Sequence, residues 1–243
     1  MAAALLLVVT LLAVSAAVMR HGPEVHGLGP DRDPPRAPRT GPAAGGERWQ
    51  RGDALRTWRF WSVSAPFALG LAAQVGVLTH LVALVTPALG VAGAARAVSA
   101  ATAAAIIGRL VTGVVVDRLN RGLLASATLG IQIVGLALLA QAPSARVVYA
   151  GCVLFGLGVG NLTTLPGLIL AAEWPPERFR SLVSLVVGIN QFTFAFGPSL
   201  VGVVRDWAGA YDAGIGACIV LQAAAAVMLL LGPRRVPSTI DQG

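Results

Sequence analysis

Arg109 stands inside a long apolar run, where a charge is costly and is found turned toward a cavity or a partner. Ser99, Thr102, Arg109 and Thr112 recur at helical spacing, so a helix here carries one polar stripe. A guanidinium fork on such a stripe can grip a carboxylate through two parallel hydrogen bonds. That makes Arg109 the sharpest candidate for holding an anionic solute. A second reading has Arg109 snorkelling to the membrane surface and supporting charges nearby, and on the sequence both stand. Gln74, Asn190 and Gln191 are further mid-span polar groups able to hydrogen-bond a solute. Gln132 is a fourth, read instead as an amide bonding across helices. His80 lies near the end of its apolar run and reads as an interfacial residue. No intramembrane carboxylate pair, histidine cluster, nucleotide loop or nucleophile motif accompanies these residues, so enzymatic chemistry is excluded. Nothing points to a metal or a cofactor. Cys152 and Cys218 fall in apolar runs without disulfide or metal spacing and read as small buried residues.

The elements that must carry these side chains are membrane helices. The chain has 243 residues, of which 56% are hydrophobic and 12% charged; a soluble domain carries about a quarter charged residues. Seven apolar runs are near the roughly 20 residues a helix needs to cross a bilayer: 2–19, 59–82, 92–116, 123–141, 147–171, 181–204 and 213–232. They are continuously apolar rather than alternating, which predicts an all-α membrane protein and not a barrel. Between the first two runs, residues 20–58 are rich in Pro, Gly and Arg and read as a flexible linker. Residues 59–232 form one six-helix unit, and 233–243 a tail.

Two stretches share a frame. Gly108, Gly113 and Asp117 are followed 89 residues later by Gly197, Gly202 and Asp206. The same offset lays 59–82 on 148–171 and 123–141 on 212–230. A repeat of three spans has an odd number of crossings, so the second copy must be inverted relative to the first. Inverted triplets of this kind build secondary transporters.

All eighteen basic residues are Arg, and the net charge is +7. They are scattered through loops without aromatic or motif context, which excludes nucleic acid as a partner. Arginine is dense in 20–58, at Arg118 and Arg121, at Arg178 and Arg180, and at Arg234 and Arg235, whereas the alternate loops hold only Arg96, Arg146 and Arg205. The positive-inside rule then predicts the N-terminus outside and the C-terminus in the cytoplasm of a plasma (bacterial inner) membrane. A rival reading makes 1–19 a cleaved secretory signal, but it lacks a basic n-region.

The run GRLVTGVVVDRLNRG resembles the loop motif of the major facilitator superfamily, with Gly113, Asp117, Arg118 and Arg121 filling the pattern and Asn120 where a Gly is usual. FGLGVGNLTTLP at 155–166 is similar to that family's tenth helix, and 188–211 to its eleventh. The resemblance covers 59–232. It implies that Gly113, Asp117, Arg118 and Arg121 form a cytoplasmic latch against an opposite half. The alternative is a charged turn that caps a helix and fixes topology. It implies further that the chain starts at the equivalent of span six, with spans one to five missing, so that a missing N-terminal half (from the same gene or a separate chain) is a partner beside the lipid bilayer and a small-molecule substrate. The expected function is secondary transport of a small organic solute by alternating access. The runner-up is a non-transporting fragment or accessory half-protein. In the monocarboxylate and oxalate–formate branches an Arg four residues before the motif Gly binds the substrate carboxylate, and Arg109 precedes Gly113 by four. The oxalate-type branch also uses a Lys on the eleventh helix, and this chain has none.

Overall fold

In a computed structural model, residues 51–141 and 144–232 are described, together with Thr10. The expected span 2–19, the 20–50 part of the linker and the tail 233–243 fall outside the described residues. The chain divides into two units, Met1–Arg48 and Trp49–Gly243, and the helices below belong to the second. They are α1 (Arg51–Leu55), α2 (Trp58–Val115), α3 (Arg121–Gln141), α4 (Ala145–Gly158), α5 (Asn161–Glu173), α6 (Pro176–Ala208) and α7 (Tyr211–Leu231). Within the expected linker 20–58, α1 covers Arg51–Leu55, and Thr57 caps α2 by accepting from the Phe60 amide at 3.4 Å.

At 58 residues α2 would measure about 87 Å, far more than the roughly 30 Å of hydrocarbon. Gly90 resolves this. Its φ of 67° and ψ of 172° leave the helical region, and only glycine takes such a conformation without strain. Leu81 and Ala101 share one packed cluster, although about 30 Å would separate them on a straight helix. The chain thus doubles back at Gly90 into two crossings, 58–89 and 91–115. Pro87 lies inside the first arm and leaves the turn to Gly90. The expected span 147–171 is Ala145–Glu173, broken in the middle by Val159 and by a left-handed Gly160 (φ 89°). The described residues therefore supply five candidate spans, the 58-residue one folded at Gly90 into two arms.

Helix directions follow from which residues meet. Along the first arm of α2, a side chain at Gly197 would overlap the Ala72 carbonyl, Gly76 lies on Gly197, and His80 Nε2 meets the Pro198 carbonyl at 3.2 Å. Both numbers rise together, so the first arm and α6 run parallel. Tyr149 donates to the Gly93 carbonyl at 3.2 Å, Gly156 packs on the Ala101 carbonyl and Gly108 on that of Leu157. The second arm and α4 are therefore parallel too. The 89-residue offset maps the second arm onto α6. The second arm runs against the first arm, whereas α6 runs with it, so the repeat-related helices point opposite ways. Asp117 and Asp206 accordingly sit at opposite ends of the bundle.

The third helices of the two triplets, α3 and α7, are antiparallel neighbours. Gln222 Nε2 donates to Gln132 Oε1 at 2.8 Å, and both side chains are fully buried. Their spacing of 90 residues is one off the repeat period, and the bond joins the two triplets. Gln132 bonds across helices, as its sequence context suggests, and its partner went unrecognised there. Gln132 Nε2 and Gln222 Oε1 have no further partner. Replacing either glutamine alone with Leu strands the other amide, and should destabilise the bundle by about 1–3 kcal/mol; the double Leu variant should recover most of that loss. Thermal unfolding of the four proteins in one detergent measures the coupling.

Candidate functional site

Arg109 stands six residues before the end of α2, about 9 Å in from that terminus. It lines a cavity of about 190 Å³ whose other walls are Leu78 and Leu81 from the first arm, Val98, Ala101, Thr102, Ala105 and Ile106 from the second, and Val159 from the break before α5. Arg109 is the one charged residue of this wall and Thr102 the one other polar side chain. The Thr102 hydroxyl donates to the Val98 carbonyl at 2.9 Å, and its oxygen can still accept a hydrogen bond. Of the polar stripe read from the sequence, Thr102 and Arg109 belong to the cavity. Ser99 is exposed and donates to the Ala95 carbonyl at 3.0 Å, while Thr112 is half-buried outside the lining.

Three alternate glycines in GLGVG shape the neighbouring helix. Gly156 admits the Ala101 carbonyl, Gly158 admits the Gln132 side chain, and Gly160 admits the Arg109 guanidinium. The break is stitched by Val159 N–H to the Gly156 carbonyl at 2.8 Å, and by the Asn161 amide to that of Leu157 at 3.3 Å. Asn161 is buried and was not singled out in the sequence. The C-terminal carbonyls of α4 end at this seam, and a cation beside a helix C-terminus gains about 0.3–1 kcal/mol from the dipole.

Gln74 and Asn190 are buried, and Gln74 Oε1 and Asn190 Oδ1 have no hydrogen-bond partner among the described residues. Gln74 precedes the cavity residue Leu78 by one turn, yet neither amide lines that cavity. Gln191 is exposed on α6. Of the four solute-binding candidates, Arg109 lines this cavity and the other three do not. His80 is partly buried, its ring against Pro198 and Tyr211, with ring centroids 5.7 Å apart.

Just past the same end of the second arm as Arg109, Asp117 is paired with Arg121 at 3.9 Å, and its side chain is 84% exposed. Arg121 also donates to the Leu168 carbonyl at 2.8 Å, tying the start of α3 to the last turns of α5. Arg59 reaches the end of the same helix, bonding the Glu173 carbonyl and lying 4.3 Å from the Trp174 ring centroid. Arg118 is exposed. Asn120, in the position where Gly is usual, accepts from the amides of Gly122 and Leu123 at 3.0 and 3.2 Å, which is the work of an N-cap. A side chain at Gly113 would meet nothing within 4 Å among the described residues, and the close helix approach falls at Gly108.

Residues 1–198 and 89–242 match the sequence profile of the Major Facilitator Superfamily. The chain belongs to that superfamily. Membership accords with the several helices here that are long and apolar enough to cross a membrane. The fold of this major facilitator chain is similar to that of a POT family transporter, PepTSo, solved by crystallisation in meso. The TM-score is 0.60 at 23% identity, covering 72% of this chain and 38% of the other. The chain thus spans about 38% of that transporter's length, and at such identity the likeness concerns the fold. No curated protein matches the chain.

The internal repeat extends to surface exposure. Positions 95, 99, 102, 103, 106, 107, 110 and 114 of the second arm are exposed, and so are their counterparts 89 residues on, at 184, 188, 191, 192, 195, 196, 199 and 203 of α6. Ile106, Leu110, Phe192 and Phe196 are 55–71% exposed among them.

Proposed function

We propose that this chain contributes one six-helix half to a secondary active transporter of a small organic anion, a carboxylate, working by alternating access. The observation that carries the reading is the wall around Arg109: a single guanidinium and one hydroxyl in an otherwise apolar cavity of about 190 Å³. Such a lining suits a ligand with one negative group and an aliphatic body. The volume is below the roughly 300–1,000 Å³ of drug-sized sites, which favours a small solute. Gln74, Asn190 and Gln191 supply further hydrogen bonds once the pathway is complete; the unpartnered acceptors of the first two support that role.

The paired exposed faces of the second arm and α6 suit a second six-helix half, from the same gene or a separate chain. Gly113, Asp117, Arg118 and Arg121 form the latch against it, a role supported by the outward-turned Asp117 carboxylate. Arg118, Arg121, Arg178 and Arg180 belong to one end of the bundle, which supports placing that end in the cytoplasm of the plasma membrane, with the N-terminus outside and the C-terminus inside.

The test is uptake into vesicles by the chain joined to its second half, over a panel of short organic acids and their neutral amides. Saturable uptake of at least one acid, with its amide excluded, is expected. Uptake of amides and acids alike would remove the anion site.

A further inference from the structure

The guanidinium of Arg109 has no carboxylate within ion-pair distance among the described residues, yet it has a defined seat. Its Nε and Nη2 atoms occupy the space in which a side chain at residue 160 would begin. Residue 160 is also where the crossing 145–173 leaves helical geometry, with the left-handed φ of 89°. Two independent features, the backbone conformation and the space beside it, therefore both require glycine here, and Arg109 fills the second.

We propose that Gly160 is the positioning residue for Arg109: the side-chain-free break in the crossing is a socket that seats the guanidinium at the cavity wall and keeps it from snorkelling to the membrane surface. The proposal rests on the reading of Arg109 as the solute ligand and adds the device that presents it. A long arginine stem has many rotamers, and ordering them costs up to about 2 kcal/mol. A seat formed by fixed backbone supplies that ordering before solute arrives, so that less binding energy is lost in immobilising the side chain. The neighbouring glycines show the same use of space with other tenants, Gly156 for the Ala101 carbonyl and Gly158 for Gln132. Gly160 differs from both in that its tenant, Arg109, is the charged group of the cavity wall.

The test substitutes Gly160→Ala and Gly160→Asn in the membrane-embedded chain with its second half. Asn tolerates the left-handed conformation better than Ala and still fills the socket, so a folded protein is available if Ala is too strained. Phenylglyoxal is applied, and the modification rate of Arg109 is read by peptide mass spectrometry against Arg96 and Arg205, which like Arg109 are exposed, in the same sample. The expected result is a several-fold rise in the Arg109 rate relative to the two references. In uptake assays of the same variants, KM for the carboxylate rises while maximal rate is largely kept. A melting-point cycle removes the contribution of backbone strain: Gly160→Asn should lower the midpoint more when residue 109 is Arg than in an Arg109→Ala background. Unchanged relative reactivity of Arg109, with equal midpoint losses in both backgrounds, would overturn the proposal. Raised reactivity with unaltered carboxylate uptake would uphold the socket and remove Arg109 from the solute site.

Discussion

Replacing Arg109 with Ala is expected to lower uptake of the anionic solute by about a hundredfold, which a flux assay reads as loss, while the amount of protein inserted in the membrane stays the same. A hydrogen bond to a charged group contributes about 1.5–3 kcal/mol, and each 1.4 kcal/mol is tenfold in affinity. A bidentate pair in a wall that is otherwise apolar lies at the upper end of that range, because no other cation lines the cavity to take over. Thr102 would remain, but one hydroxyl does not offset a carboxylate taken out of water. Arg109→Lys separates charge from geometry. It keeps the positive point charge and loses the fork, and is expected to retain part of the uptake with a raised KM. Uptake by Arg109→Ala equal to that of the unaltered protein would sink the binding role and leave Arg109 as a packing group over Gly160.

The architecture was legible wherever the signal was repeated or long. Continuous apolar runs placed the crossings to within a few residues, since lipid demands that every backbone group be satisfied within a helix. Ends moved where a cap or a turn decides them: the first arm runs to Leu89 because the chain folds at Gly90, not at Pro87. The glycine–glycine–aspartate spacing announced the inverted triplets, and the directions of the packed helices agree with it. Which of three near-identical glycines in GLGVG would turn left-handed could not be read, because the choice depends on which neighbour arrives at each: a carbonyl at Gly156, an amide at Gly158, a guanidinium at Gly160. Gln222 was missed because it sits in an unbroken apolar run. Its spacing from Gln132, one residue off the repeat period, was the available signal. Arg109 was recognisable as the odd charge in a span, but the composition of the wall opposite it comes from three separate segments brought together by the fold.

Gly108→Ala is expected to destabilise the bundle by about 2–3 kcal/mol or more, whereas Gly113→Ala should be close to neutral in stability. A side chain at Gly108 would overlap the Leu157 backbone carbonyl, and one at Gly197 the Ala72 carbonyl. A backbone obstacle cannot rotate aside as a side chain does, so relief requires two helices to separate along their contact. Gly113 and Gly202 are open instead: nothing lies within 4 Å of the first, and only His80 Nε2, at 3.9 Å, of the second. Geometry explains the split. Residues five apart on a helix are rotated by about 140°, so when Gly108 faces the neighbouring crossing Gly113 faces away, toward the side it shares with Asp117. The helix contact therefore lies on the Gly108 face, not on the face that Gly113 shares with Asp117. The inverted repeat doubles the experiment. Gly197→Ala should match Gly108→Ala in loss of melting midpoint, and Gly202→Ala should match Gly113→Ala. The chain carrying Gly113→Ala should still insert and fold but lose transport rate if the second half closes against that face. Equal midpoint losses at Gly108 and Gly113 would contradict the packing described here, and a large loss at Gly108 without one at Gly197 would break the equivalence of the two triplets.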